Sequence, residues 1–309
     1  MGNVAEVLDD PWKAAMQRGD FAAAWRVSDE VLLRRRASKE TCYHWPRHLQ
    51  YVWTGAPLAG KRVLVRCYHG LGDTIQFIRF TKPLRARARH VAVWVQPALI
   101  ELLAGTPGVD EVLPLHDGVP GAEFDIDIEI MELPHALRIA SIPAEVPYLM
   151  CPSARQRRHR SDACLQVGLV WKGGDWDTRR NVPLPLLQRL SNVSGVRLFS
   201  LQPGSTKGLP LPIVQADCST IIRTAANMRE LDLVISVDTM ATHLAGALAG
   251  PVWTMLHAQC DWRWGRDGAS SVWYPTMRLF RQRRPGDWLP VVEEVCAALA
   301  GLVTDKSRA

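Results

Sequence analysis

The chain has 309 residues, 47% of them apolar, seven cysteines and a net charge of +6. That length is about twice the common domain size and favours two domains. No stretch approaches the roughly 20 uninterrupted apolar residues of a membrane helix, because Asp232, Asp238 and His243 interrupt the most apolar region, Leu231 to Leu256. The cysteines (Cys42, Cys67, Cys151, Cys164, Cys218, Cys260, Cys296) are odd in number and form no C-x-x-C pair, which suits a reducing compartment and argues against a structural zinc site. Met1 to Glu6 lacks the basic and apolar blocks of a signal peptide, so the expectation is a soluble, cytoplasmic protein. The positive charge fits an anionic partner. Only Arg155 to Arg160 and Arg34 to Arg36 are basic runs, and no nucleic-acid-binding signature accompanies them. Phosphate on a small substrate is the more economical partner, and no nucleic acid is expected.

Residues 11–54 have helical spacing, with Trp12, Ala15 and Met16 on one face, Phe21, Ala24, Trp25, Val31 and Leu32 on the next, and Gly19-Asp20 as break and cap. Gly19-Asp20-Phe21-Ala-Ala-Ala-Trp25 resembles the inner part of a tetratricopeptide repeat (TPR), though one unit is not an array. These helices are expected to pack on the first lobe, and a protein partner bound through residues 11–54 is a second expectation. From Lys61 to Met150 strands and helices alternate: strand Arg62 to Cys67, helix Thr74 to Arg89, strand Val91 to Val95, helix Pro97 to Ala104, a short strand near Val112, and strand Phe124 to Glu129. The polar, basic stretch Cys151 to Ala163 reads as a linker. A second set follows: strand Gln166 to Trp171, helix Leu184 to Leu190, strands Val196 to Leu201 and Ile213 to Gln215, helix Ile221 to Arg229, strand Leu233 to Val237, helix Thr242 to Ala249 and strand Val252 to Leu256. A last helix, Leu289 to Leu302, comes after the second sheet is complete and is expected to cross back to the first lobe. Such alternation means parallel sheets with helical crossovers.

Two strand-to-helix turns stand out, Tyr68 to Thr74 and Ser236 to His243. In open α/β sheets such turns lie at the carboxyl ends of the strands, where ligands bind and helix N–H groups favour an anion. Gly70-Leu-Gly72 is not a dinucleotide fingerprint, because Ile75 holds the third glycine position and Trp94-Val95-Gln96 stands where a ribose-binding acid belongs. Gly55 to Arg62 is not a P-loop, since Arg62 replaces the Ser/Thr and the segment precedes its strand.

Together, His69 to Arg79, Val167 to Gly174 with Arg179-Arg180-Asn-Val-Pro183, Ser200 to Gly204, and Asp232 to Trp253 resemble glycosyltransferase family 9, which includes the ADP-heptose:lipopolysaccharide heptosyltransferases. The likeness is greater to the bacterial branch often attached to TPRs, which carries segments similar to Asp261 to Trp264 and Trp273 to Pro275. It runs in order from Arg62 to the last helix. It implies a GT-B fold: two Rossmann-like α/β lobes with a central cleft, preceded by a short α-helical segment. The divisions expected are residues 1–57 (helical, TPR-like), 58–152 (acceptor lobe), 153–164 (linker), 165–285 (nucleotide-sugar lobe) and 286–309 (C-terminal helix).

The implied reaction is inverting transfer of a glycosyl group from a nucleotide-diphosphate sugar to a hydroxyl of a cell-surface glycan, lipopolysaccharide or glycoprotein. Asp73 falls at the position of the base that takes the hydroxyl proton, although an Asp just before a helix is also a favoured N-cap. His69, Gly70, Gly72 and Thr74 fall on the acceptor side. Donor binding is assigned to Lys172 and Arg180 as phosphate contacts, Gln202 and Gly204 at the nucleoside edge, Asp238, Thr239, Met240 and Ala241 at the second turn, and His243, which is equally a packing residue. Trp262, Trp264, Trp273 and Tyr274 either stack on sugar or base or pack beneath a loop. No metal site is visible, no cofactor is required, and contact with an anionic inner-membrane face is a further expectation. Met240-Ala241-Thr242 stands where the heptosyltransferases usually carry a glycine-bearing loop, and Arg179-Arg180 replaces a lysine-rich stretch, so heptose itself does not follow. A non-catalytic sugar-nucleotide or glycan-binding scaffold is the alternative; a nucleotide-sugar epimerase would need further acids, for which Glu129, Glu132 and Asp175 are candidates.

Overall fold

A computed structural model describes residues 10–38, 42, 44–151, 164–204, 206–209 and 211–308. The expected linker, apart from Cys164, and the basic run Arg155 to Arg160 lie outside the described residues. The chain divides into two compact units. One runs to Ala144 and includes Asp261–Asp267; the other comprises Glu145–Cys260 and Gly268 onward.

The first unit contains, in chain order, α1 (Pro11–Gln17), α2 (Phe21–Ser38), β1 (Arg62–Arg66), α3 (Leu71–Phe77), α4 (Thr81–Arg85), β2 (His90–Val95), α5 (Ile100–Leu103), β3 (Glu111–Pro114), β4 (Ile126–Glu129) and α6 (Leu133–Ala136). The sheet is parallel, in the order β3-β2-β1-β4. Val63, Leu64 and Val65 of β1 are fully buried, which is why a central parallel strand reads as an unbroken apolar run. The single helix expected over 74–89 is instead α3, a 3₁₀ turn at Ile78–Phe80, and α4. Pro83 supplies the reason: it has no N–H to donate, and its ring would clash with the Arg79 carbonyl in a continuous helix. Asp10 caps α1 by accepting the Trp12 and Lys13 N–H groups, and Asp20 accepts that of Ala23. Helix α2 is tied to this unit by Trp25 Nε1, which donates to the Ile139 carbonyl at 2.8 Å, and by Asp29, which receives Arg138 and contacts His135 of α6.

The second unit contains β5 (Leu165–Val170), α7 (Leu184–Ser191), β6 (Val196–Ser200), β7 (Val214–Gln215), α8 (Ile221–Glu230), β8 (Leu233–Val237), α9 (Met240–Ala247), β9 (Val252–Leu256), β10 (Met277–Arg281) and α10 (Leu289–Arg308). Its parallel sheet has the order β10-β9-β8-β5-β6-β7. Strand β10 was not expected; Arg278 and Arg281 break its apolar run, yet Leu279 and Phe280 are buried. Helix α10 belongs to the second unit. Val291, Val292, Val295 and Leu299, one helical face, are buried in the same core as Leu187 and Leu190 of α7 and Phe280 of β10. Gly246 in α9 is required by packing, since a Cβ there would lie 2.4 Å from Tyr274 Cδ1. No helix among the described residues is long and apolar enough to cross a membrane.

In each sheet the chain builds outward to one side of its first strand and then to the other. The strand order therefore reverses between β1 and β4, and between β5 and β8, and crevices at such reversals are where open α/β sheets bind ligands.

Candidate functional site

At the carboxyl ends of β1 and β4, the Tyr68 N–H donates to Glu129 Oε1 at 3.3 Å. Helix α3 begins at Leu71, so Asp73 is its third residue and Gly70 is the N-cap. The Asp73 carboxylate reaches back to accept the Gly70 N–H at 3.0 Å through Oδ2, and its Oδ1 accepts from Arg263 Nη2 at 2.5 Å. It thus satisfies the N-cap N–H while its side chain stays 27% exposed. Burial pushes the His69 imidazole below its ordinary value against the pull of Asp73, and its Nε2 lies 3.8 Å from Glu129 Oε2. Burial pushes the Glu129 carboxyl up to about 8, in spite of the Met131 and Tyr68 N–H groups it accepts. Glu132 is raised for the same reason.

Thr74, expected on the acceptor side, lies beneath the turn. It is fully buried, and its hydroxyl donates to Gln96 Oε1 while Gln96 Nε2 donates to the His69 carbonyl at 2.6 Å. Its part is to hold the turn that presents His69 and Gly70. Gly72 is the second residue of α3.

At the carboxyl ends of β5 and β8, Arg180 is buried at 7% exposure. Its Nη1 donates to the Asp238 carbonyl at 2.6 Å and its Nε to the Asp177 carbonyl at 3.3 Å. No carboxylate among the described residues pairs with it. Nη2 lies against Gly173, where a Cβ would come within 3.1 Å, so the absence of a side chain there leaves room beside the guanidinium. Thr239, not Asp238, is the N-cap of α9, its Oγ1 accepting the Ala241 N–H at 3.3 Å. Gln202 Oε1 accepts the Lys172 N–H at 3.1 Å, joining the loops after β5 and β6. The Lys172 side chain is exposed, and Gly204 has φ +109, a conformation that favours glycine. Asp238 and Ala241 are buried and Met240 half-buried. His243 is 6% exposed, and its Nδ1 contacts the Tyr274 hydroxyl at 3.0 Å.

Trp262, Trp264, Trp273 and Tyr274 are all buried, at 9% exposure or less, so packing replaces the ligand-stacking expectation. Two residues escaped the sequence reading. Trp176 is 80% exposed and covers Arg180, whose Cζ is 4.0 Å from the ring centroid; an aromatic in a Gly/Asp-rich loop directly after a central strand was the available signal. Arg263 lies in the segment Asp261 to Trp264 already noted for its resemblance, but nothing in that segment pointed to Asp73, 190 positions away. The further acids named for an epimerase lie as follows. Glu129 and Glu132 accept backbone N–H groups of Met131, Tyr68, Trp53 and residue 129, and Asp175 lies exposed in the other unit. Among the described residues no cluster of three His, Cys, Asp or Glu side chains could hold a metal.

No family model matches the chain. Among curated proteins, FlbA of Caulobacter vibrioides is 25% identical over 286 residues, covering 80% of this chain. The chain spans about half of that relative, 48% of its length. Among solved structures, a glycosyl transferase of family 9 from Veillonella parvula is similar with a TM-score of 0.55 and 14% identity, covering 81% of this chain and 99% of its own. The E. coli ADP-heptose LPS heptosyltransferase II gives 0.51 and 14%, with 80% and 99% covered. E. coli heptosyltransferase WaaC with ADP-2-deoxy-2-fluoro heptose gives 0.50 and 12%, with 77% and 99% covered. At such identities what is shared is the fold, mixed α/β with parallel sheets.

Proposed function

We propose that the protein is an inverting glycosyltransferase that moves a sugar from a nucleotide-diphosphate sugar to a hydroxyl of a cell-surface glycan, lipopolysaccharide or glycoprotein. The observation that carries the reading is Arg180, a buried guanidinium with no paired carboxylate among the described residues, set against the N-terminal turn of α9 at the reversal of the second sheet. A buried cation without a counter-charge is costly unless an anion joins it. The turn adds backbone donors and a helix dipole of the right sign.

In the reaction the anomeric C–O bond to the diphosphate breaks and its electron pair leaves with the phosphate. A bond forms from the acceptor oxygen to the anomeric carbon, and the hydroxyl proton passes to the Asp73 carboxylate. Arg180 and the Thr239 turn stabilise the leaving diphosphate, with Lys172, Gln202, Gly204, Met240 and Ala241 around it and Asp238, whose carboxylate would repel phosphate, on the sugar side. The Asp73 carboxylate accepts from Arg263 and Gly70, and carboxylates as a class are weak bases. Weakness is tolerable because the hydroxyl proton becomes acidic only as the glycosidic bond forms. His69, Gly70 and Gly72 are assigned to the acceptor side. ADP-heptose, the donor named for two of the structural neighbours or present there as an analogue, is the first donor to try.

The test is thermal stabilisation by ADP, UDP, GDP, CMP and their sugars, followed by turnover of the best binder by the wild type and Asp73→Asn. Preferential stabilisation by one nucleoside diphosphate, with turnover lost and binding kept in the variant, is expected. Absence of stabilisation by every nucleotide would overturn the donor site. Binding with no turnover under any acceptor would favour a scaffold.

A further inference from the structure

We propose that Arg263 is a positioning residue that fixes the Asp73 carboxylate for proton transfer; the proposal rests on Asp73 acting as the base. Arg263 belongs to Asp261–Asp267, the short run that the chain contributes to the first unit between β9 and β10. It is 9% exposed. Its planar fork engages four side chains: Nε donates to Gln76 Oε1 at 2.7 Å, Nη1 to Asp261 Oδ1 at 2.8 Å, and Nη2 to Asp73 Oδ1 at 2.5 Å and, weakly, to Met131 Sδ at 3.9 Å. Trp262 and Phe77 pack near the guanidinium, with ring centroids 4.7 and 5.5 Å from its Cζ. Asp73 and Gln76 are one turn apart on α3, so a single guanidinium spans that turn and sets where the carboxylate points.

Charge counting separates this from simple neutralisation. Two carboxylates, Asp73 and Asp261, share one guanidinium, so the cluster keeps a net negative charge suited to accepting a proton. A carboxylate has about four lone-pair sites. Arg263 and Gly70 occupy two at Asp73, leaving room for a hydroxyl on a side chain held from both ends. A lysine would supply the charge as a point and not as a fork.

The experiment uses the full chain and hydrolysis of ADP-heptose, or of whichever nucleotide sugar binds best, with water as the attacking hydroxyl. Wild type, Arg263→Ala, Asp73→Asn and the double variant are compared for kcat, donor KM and nucleotide affinity. Misplacing a reacting group costs on the order of 100-fold. Arg263→Ala should therefore lower kcat about 100-fold with donor KM and nucleotide affinity unchanged, and should cost nothing further in the Asp73→Asn background, since residues acting as a unit are not additive. Losses that multiply in the double variant, a parallel fall in nucleotide affinity, or wild-type kcat in Arg263→Ala would overturn the proposal. If Arg263→Ala does not yield folded protein, Arg263→Lys takes its place, with an expected loss of about 10-fold that vanishes in the Asp73→Asn background; a loss that persists there overturns it. Full activity of Asp73→Asn would instead remove the base assignment itself, an outcome distinct from an inactive Asp73→Asn beside an active Arg263→Ala.

Discussion

Glu129 offers the most quantitative check on the first unit. Its side chain is 3% exposed at the reversal between β1 and β4, and burial holds its carboxyl at about 8 in place of the ordinary 4.5. Between those two values the folded chain keeps a proton that the unfolded chain has released, so stability falls as pH rises through the window. The penalty is absent below about 4.5 and complete above about 8, where it reaches up to about 5 kcal/mol. Glu129→Gln removes the titration but leaves a carboxamide where the Met131 and Tyr68 N–H groups need acceptors. That mismatch costs about 1–3 kcal/mol at every pH. The variant should therefore be less stable than wild type at pH 4.5 and more stable at pH 9, the difference changing sign in between. Urea unfolding of both proteins across that range measures it. A difference that stays flat with pH would refute the claim that burial dominates at Glu129.

Arg180→Ala should weaken binding of ADP or inorganic pyrophosphate by about 10- to 100-fold, the value of hydrogen bonds to a charged group, with Arg180→Lys between; calorimetry giving wild-type affinity for the alanine variant would end the donor-site reading. Trp176→Ala should leave thermal stability nearly unchanged, because the ring is 80% exposed. It should still weaken pyrophosphate about 3- to 30-fold, since the indole that keeps the Arg180 guanidinium in place is lost, and equal pyrophosphate affinity in the two proteins would refute this.

The strands were legible where a β-branched apolar run stands between turn residues, and β8 and β9 begin and end where their residues said they would, at Leu233 and Val237 and at Val252 and Leu256. Reading failed where a local signal was outvoted. Pro83 breaks a segment whose apolar spacing alone reads as one helix, and two arginines conceal the buried half of β10. The two turns were visible because their glycines, carboxylates and hydroxyls are contiguous. Their electrostatics were not, because Arg263, the Asp73 partner, arrives from the far end of the chain. The burial of Thr74 and His243 was not legible either: both face packed interior, as a period of 3.6 allows for residues one turn inside a helix start.

The two strand-order reversals share a topology and differ in charge, and the difference supports a division of labour. In the second unit a buried guanidinium stands, without a paired carboxylate among the described residues, beside a helix N-terminus, an arrangement that a phosphate would complete. In the first, two carboxylates share one guanidinium, and Glu129 stays protonated until about pH 8. A phosphate is unwelcome there, whereas a neutral hydroxyl that must give up a proton is not. Ionising Glu129 would place a further negative charge near Asp73, so burial that keeps Glu129 neutral also limits the repulsion an approaching acceptor meets at neutral pH. A scaffold that only held a nucleotide would use the arrangement of the second unit and gain nothing from that of the first.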